Sequence, residues 1–209
     1  VGGMTPLSTV DWPDRLSAVI FLRGCAWRCQ YCHNQDLQRR EGSTHRWLEI
    51  LAFLGSRRGL LDGVVFSGGE PTLHPGLAEA MAEVRAMGFS TALHTGGDRP
   101  ERLAALLRAG LVDWVGFDLK APLADYDALT GSPGSGERAY RSLRTLVSSG
   151  VPYELRTTVR RDLLPLPRLL ALAREVAVCG AGNLVLEAYR DAEQQLEPQA
   201  PSTLREAAR

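Results

Sequence analysis

The chain has 209 residues, 44% apolar and 23% charged, and its 24 basic residues balance 24 acidic ones. A chain this long buries roughly 70% of its unfolded surface as one domain and needs no disulfide staples. Zero net charge argues against a binder of nucleic-acid phosphates or anionic lipid, and no apolar run approaches the ~18 residues of a membrane span. Val1–Asp14 shows no basic-then-apolar export pattern, so the expectation is a soluble, cytoplasmic protein.

In chain order, Ser17–Arg23 reads as a short apolar strand. His45–Arg58 carries Trp47, Ile50, Leu51 and Leu54 on one helical face. Gly63–Phe66 is a second strand, and Gly76–Met87 a helix stopped by Gly88. Ser90–His94 is a strand, followed by a helix over Arg99–Ala109 that starts near Pro100. A strand at Val112–Asp118, a helix at Arg138–Ser149, a strand at Tyr153–Val159, a helix at Pro165–Val178 and a strand at Asn183–Tyr189 complete the pattern. Between them, 121–136 is irregular and turn-rich, with room for a short helix at Ala124–Leu129.

Six apolar strands alternating with five helices predict an α/β fold with a helix-covered parallel sheet, either open or an incomplete barrel. No linker divides the chain. One domain is expected over residues 1–190, with a polar tail at 191–209 packed on or flanking it and room for a helix at Thr203–Arg209.

Ligands of parallel α/β folds sit at the carboxyl ends of the strands. Cys25, Cys29, Cys32, His33 and Asn34 follow the first strand, and Ser67–Pro71 (SGGEP) the second. His94-Thr95-Gly96-Gly97 ends the third and Asp118-Leu119-Lys120 the fourth. The fifth holds Arg156, Thr157 and Thr158, and the sixth ends in Tyr189-Arg190. Polar, glycine-rich and thiol groups therefore gather at one face.

The C-x3-C-x2-C spacing puts three thiols on a short loop, which suits zinc or an iron–sulfur cluster. Structural zinc needs a fourth ligand, from His33 or the distant Cys179. Cys179 ends a helix at the far end of its unit and reads as a small buried apolar residue. Three thiolates leave one iron of a four-iron cluster open, as a catalytic metal site requires. Trp27 and Tyr31, interleaved with the thiols, either shield such a group or simply pack. Among the 24 basic residues Lys120 is the single lysine; its compact ammonium is not interchangeable with a guanidinium.

CxxxCxYCHN at Cys25–Asn34, together with SGGEP, resembles the radical S-adenosylmethionine superfamily. The likeness is to the branch that activates glycyl radical enzymes, namely pyruvate formate-lyase and, most similar here, anaerobic ribonucleotide reductase. TPLSTVDWPDRLSAVIFLRGC, GLLDGVVFSGGEPTL, DLKAPL and VPYELRTTV extend it over nearly the whole chain.

The resemblance implies a partial (β/α)6 barrel of parallel strands. It implies a 4Fe-4S cluster held by Cys25, Cys29 and Cys32, whose fourth iron binds the amino and carboxylate groups of S-adenosylmethionine. Gly68, Gly69 and Glu70 would meet the methionine amino group, through close backbone approach, carbonyls or the carboxylate. Asp118 would hold ribose hydroxyls and Lys120 the ligand carboxylate. Tyr31, Asn34 and Thr95 fall at cofactor-contacting positions. Arg156 would neutralise a carboxylate or serve as a strand-end ion-pair partner, and Arg190 falls near the adenine.

One position departs from the pattern. His94 stands where pyruvate formate-lyase activators place an aspartate of a monovalent-cation site. A nitrogen base replaces a hard oxygen anion, so His94 reads as a packed strand-end residue.

The implied reaction is reductive cleavage of S-adenosylmethionine to a 5′-deoxyadenosyl radical, which abstracts a glycine Cα hydrogen from the partner glycyl radical enzyme. The 4 cysteines leave no room for a second cysteine-ligated cluster, so an external flavodoxin- or ferredoxin-like reductant is implied. Two other readings stay open: a radical S-adenosylmethionine enzyme for a small molecule such as a deazapurine precursor, and a non-enzymatic metal-binding protein.

Overall fold

The computed structural model of the chain describes residues 1–189. Its strands are β1 Gly3–Ser8, β2 Ser17–Leu22, β3 Gly63–Gly68, β4 Ser90–Thr95, β5 Trp114–Asp118, β6 Tyr153–Val159 and β7 Leu184–Ala188. They form one sheet in chain order, parallel throughout from β2 to β7. The connections carry α1 Trp47–Gly55, α2 Leu77–Ala86, α3 Pro100–Arg108, α4 Leu123–Thr130, α5 Ser135–Ser149 and α6 Leu166–Val178. Crossovers of one hand between successive neighbours put the helices on one face, so the sheet curls into a partial barrel. Among the described residues no helix is long and apolar enough to cross a membrane.

Strand alternation divides the core. Ile20, Phe66, Leu93, Phe117 and Leu155 point outward and are buried with helix residues such as Leu103 and Leu143. Val19, Val65, Ala92 and Trp114 point inward and pack with Trp12, from the β1–β2 connection. The Trp12 and Trp114 rings stack with centroids 6.2 Å apart. They floor the lumen. Further along these strands the inward positions turn polar, at Ser67, His94 and Asp118, joined by Arg156 of β6.

The structure adds one strand to the six expected. β1 pairs antiparallel with β2, and its register shifts between Thr5 and Ser8. Pro6 lies in that interval and has no N–H to offer the ladder, which is tolerated at a sheet edge. The 121–136 connection holds two helices. α5 begins at Ser135 rather than Arg138 because Asp127 of α4 caps it, accepting from Ser135 Oγ at 2.9 Å and Gly136 N at 3.0 Å. A cap donated by another helix leaves no signal in the local pattern. Cys179 ends α6 and is half-buried against the core rather than fully buried.

Leu143 is 0% exposed between α5 and the sheet. Leu143→Ala is expected to lower stability by about 2–5 kcal/mol. Denaturant titration reads this as a lower midpoint at unchanged slope.

Candidate active site

The connection from β2 to α1 holds the three thiols, and its regular structure is a 3-10 turn at Gln35–Gln38. Tertiary contacts therefore set its shape. Arg28 N donates to Thr130 O at 2.7 Å and Gln30 N to Leu129 O at 3.4 Å. These are terminal carbonyls of α4, which lack partners within their own helix, so loop and helix end satisfy each other.

The SGGEP turn at the end of β3 crosses the start of the same loop. Gly69 N donates to Leu22 O and Glu70 N to Gly24 O, both at 2.9 Å. A Cβ on Gly68 would overlap Leu22 backbone, and one on Gly69 would overlap Gly24. Gly68 also has φ +123°, where a side chain is strained. The close approach that glycine permits is made here to the chain's own backbone.

Glu70 is buried and accepts four hydrogen bonds. Its Oε1 takes Thr72 N at 3.0 Å, Thr72 Oγ1 at 2.6 Å and Thr95 Oγ1 at 2.7 Å, while Oε2 takes Gly96 N at 3.0 Å. Burial pushes its pKa up, against the pull of those donors. The carboxylate ties the end of β3 to the end of β4, and Oε2 with its single donor keeps a free lone pair.

Cys25, Cys29 and Cys32 are half-buried and line one cavity of about 390 Å³. Tyr31, Asn34, Gly68, Gly69, Glu70, Thr95, Asp118, Lys120 and Arg156 line the same cavity. Arg190 and the tail at 191–209 lie outside the described residues. Sequence reasoning missed Asp11 and Glu187, which also line the cavity. Glu187 was legible from alternation on the last strand; Asp11 lies in a connection with no periodic signal.

Charge is concentrated on the β5–β7 side. Asp118 Oδ1 accepts from Arg156 Nε at 3.1 Å, its Oδ2 is 3.8 Å from Lys120 Nζ, and Arg156 Nε is 3.9 Å from Glu187. Burial alone would raise the Asp118 pKa, but Arg156 and Lys120 hold it below the usual range. For Lys120, burial pulls down and Asp118 lifts, with a net rise, so the ammonium stays charged. Arg156 is thus paired with Asp118 at the end of its strand.

His94 packs edge-on to Trp114, with centroids 5.8 Å apart. Its Nε2–H donates to Asp11 O at 2.8 Å, and its Nδ1 accepts from Ser67 Oγ at 3.4 Å. Tyr31 is buried, and its hydroxyl has no hydrogen-bond partner among the described residues. Burial pushes the Cys25 thiol up to about 12 and raises Cys29 as well, so metal binding there would release protons.

These donors fit a soft, thiolate-bound group. Among the described residues no three His, Cys, Asp or Glu side chains converge on a single ion. Three thiols around one cavity suit a larger body that meets each at a different corner. Lys120 and the unpartnered Tyr31 hydroxyl face the same space and suit a ligand bearing a carboxylate.

Residues 19–165 match the Radical SAM superfamily, and the chain belongs to it. It is an enzyme of radical chemistry, in a superfamily that uses a 4Fe-4S cluster and S-adenosylmethionine. Among its relatives is a Methanocaldococcus jannaschii protein provisionally named a glycyl-radical enzyme activating enzyme. That protein is 31% identical over 187 residues, covering 86% of this chain and 76% of its own. A pyruvate formate-lyase-activating enzyme of Clostridium pasteurianum is 30% identical over 160 residues, covering 73% of this chain and 65% of its own. The solved structure of native anSMEcpe with bound AdoMet shares the fold at a TM-score of 0.68 and 16% identity, over 89% of this chain and 55% of that chain. The chain therefore spans little more than half of that solved neighbour.

Burial and the nearby Arg156 pull the His94 pKa from 6.5 down to about 4. The folded state keeps this ring neutral while the unfolded chain binds a proton below pH 6.5. The stability it contributes is complete above 6.5 and is lost as pH falls toward 4. Chemical denaturation across that window is expected to show a shallower pH slope for His94→Gln than for the wild type.

Proposed function

We propose that the chain activates a partner glycyl radical enzyme by taking a hydrogen atom from a glycine Cα. The supporting observation is its 31% identity to the Methanocaldococcus jannaschii activating protein over 76% of that protein's length. Cys25, Cys29 and Cys32 hold the cluster. The turn at Gly68, Gly69 and Glu70 receives the amino end of S-adenosylmethionine, and Lys120 its carboxylate. Asp118, fixed by Arg156, holds the ribose, and Tyr31, Asn34 and Thr95 complete the cofactor contacts. Together the cluster and S-adenosylmethionine supply a carbon radical strong enough to break a C–H bond.

The protein's part is orientation and exclusion of water. Among the described residues β1 and β7 are the unpaired ends of the sheet, so the lumen that these strands form is open along one side. A peptide loop can enter there, and a glycine radical is stabilised by its flanking amides. Anaerobic ribonucleotide reductase is the partner class, since the sequence most resembles activators of that enzyme, and a flavodoxin- or ferredoxin-like protein is the electron source.

Two tests follow. Protein reconstituted without oxygen with iron and sulfide, then given dithionite and S-adenosylmethionine, should release 5′-deoxyadenosine; Cys29→Ala should release none. With an anaerobic ribonucleotide reductase from the same organism present, a glycyl radical signal should appear on the reductase, and 5′-deoxyadenosine formation without that signal would favour a small-molecule substrate. Separately, Lys120→Ala should keep its iron and bind S-adenosylmethionine about tenfold or more weaker, the loss of a hydrogen bond to a charged group. Wild-type binding by that variant would remove Lys120 from the site.

A further inference from the structure

Trp27 stands between Cys25 and Cys29 and is 2% exposed. Its ring lies on Gly96, where a Cβ would overlap it, and its backbone N–H points to Cys25 Sγ at 3.4 Å. The indole N–H donates to Asp98 Oδ1 at 2.8 Å. Asp98 follows β4 and is 0% exposed. The same Oδ1 accepts from Arg138 Nε of α5 at 2.9 Å, while Arg99 Nε is 3.5 Å from Oδ2. Arg138 is itself fastened to Pro133 O and Ser132 Oγ, both at 3.1 Å.

A carboxylate this buried is costly unless its charge is matched and its oxygens are hydrogen-bonded. Arg138 supplies the charge. The indole shares the oxygen that Arg138 holds, which makes Asp98 a fixed post anchored to α5. We propose that Asp98 is a positioning residue for the thiol loop. By holding the Trp27 indole it sets the Cys25–Cys29 segment in the conformation that turns the thiols into the cavity. Packing alone would be served by phenylalanine at position 27; the hydrogen bond fixes the rotation of the ring about its own axis, and with it the backbone that touches Cys25. This inference rests on the reading of the three thiols as cluster ligands and is independent of the substrate.

The test uses the full chain, with Trp27→Phe, Asp98→Ala and the double variant. In metal-free protein, the alkylation rate of each thiol is read by mass spectrometry, with Cys179 as an internal reference away from the loop. Cys25 and Cys29 should label about tenfold faster in each single variant, the loss of one hydrogen bond to a charged group, while Cys179 is unchanged. The double variant should label no faster than the singles, because both remove the same link. In reconstituted protein, the midpoint potential of the cluster should move in the same direction in both single variants. Wild-type labelling and potential in Trp27→Phe would overturn the proposal, as would a parallel rise at Cys179, which would mean general loosening. Trp27→Phe keeps an aromatic ring and the Asp98–Arg138 pair, so it carries the test even if Asp98→Ala folds poorly. Neither readout depends on which substrate the enzyme serves.

Discussion

The turn at Gly68 and Gly69 lies against the backbone of Leu22 and Gly24 with no space for a Cβ between them. This crossing joins the end of one strand to the root of the thiol loop, and the site depends on it. Glu70 follows at once and gathers Thr72, Thr95 and Gly96 around its carboxylate. Gly96 in turn supports Trp27, which stands between two of the thiols. Three connections, after β2, β3 and β4, are thereby made into one unit. A loop with little regular structure gains a defined shape from such surroundings, because each buried polar group left unpaired would cost about 1–3 kcal/mol.

The opposite side of the cavity is organised by charge. Asp118 sits between Arg156 and Lys120, and Glu187 stands beyond Arg156. A chain with no net charge gathers opposite charges on this side of the cavity. Groups held this way do not reorganise when a charged ligand arrives, which is how preorganised sites gain their strength. One side of the site is thus soft and sulfur-rich, the other hard and ionic, and a single ligand spanning both would be fixed at its two ends.

Much of this was legible in the sequence because strand periodicity and motif spacing are local. The six parallel strands followed from short apolar runs, and the thiols, the SGGEP turn and Lys120 stood out by spacing or rarity. What escaped notice depends on contacts distant in sequence. β1 contains Pro6 and carries a weak pattern. The start of α5 is set by Asp127 of another helix. Asp98 was unremarkable until the fold brought it under Trp27, 71 positions away. Glu70 was noticed as an acceptor for a ligand, but its protein donors come largely from a turn and a strand that only the fold places beside it. Arg156 had two readings of equal standing, and the fold shows its pairing with Asp118.

The stacked indoles of Trp12 and Trp114 give the lumen a floor. A compartment closed below exchanges matter only through its mouth and its open side. Whatever seats itself across that opening becomes the last wall of the chamber. Admission, sealing and release then become a single event, governed by how long the visitor stays. Oxygen and water would be kept out by the visitor's own surface, so protection of the chemistry would last as long as the encounter and no longer.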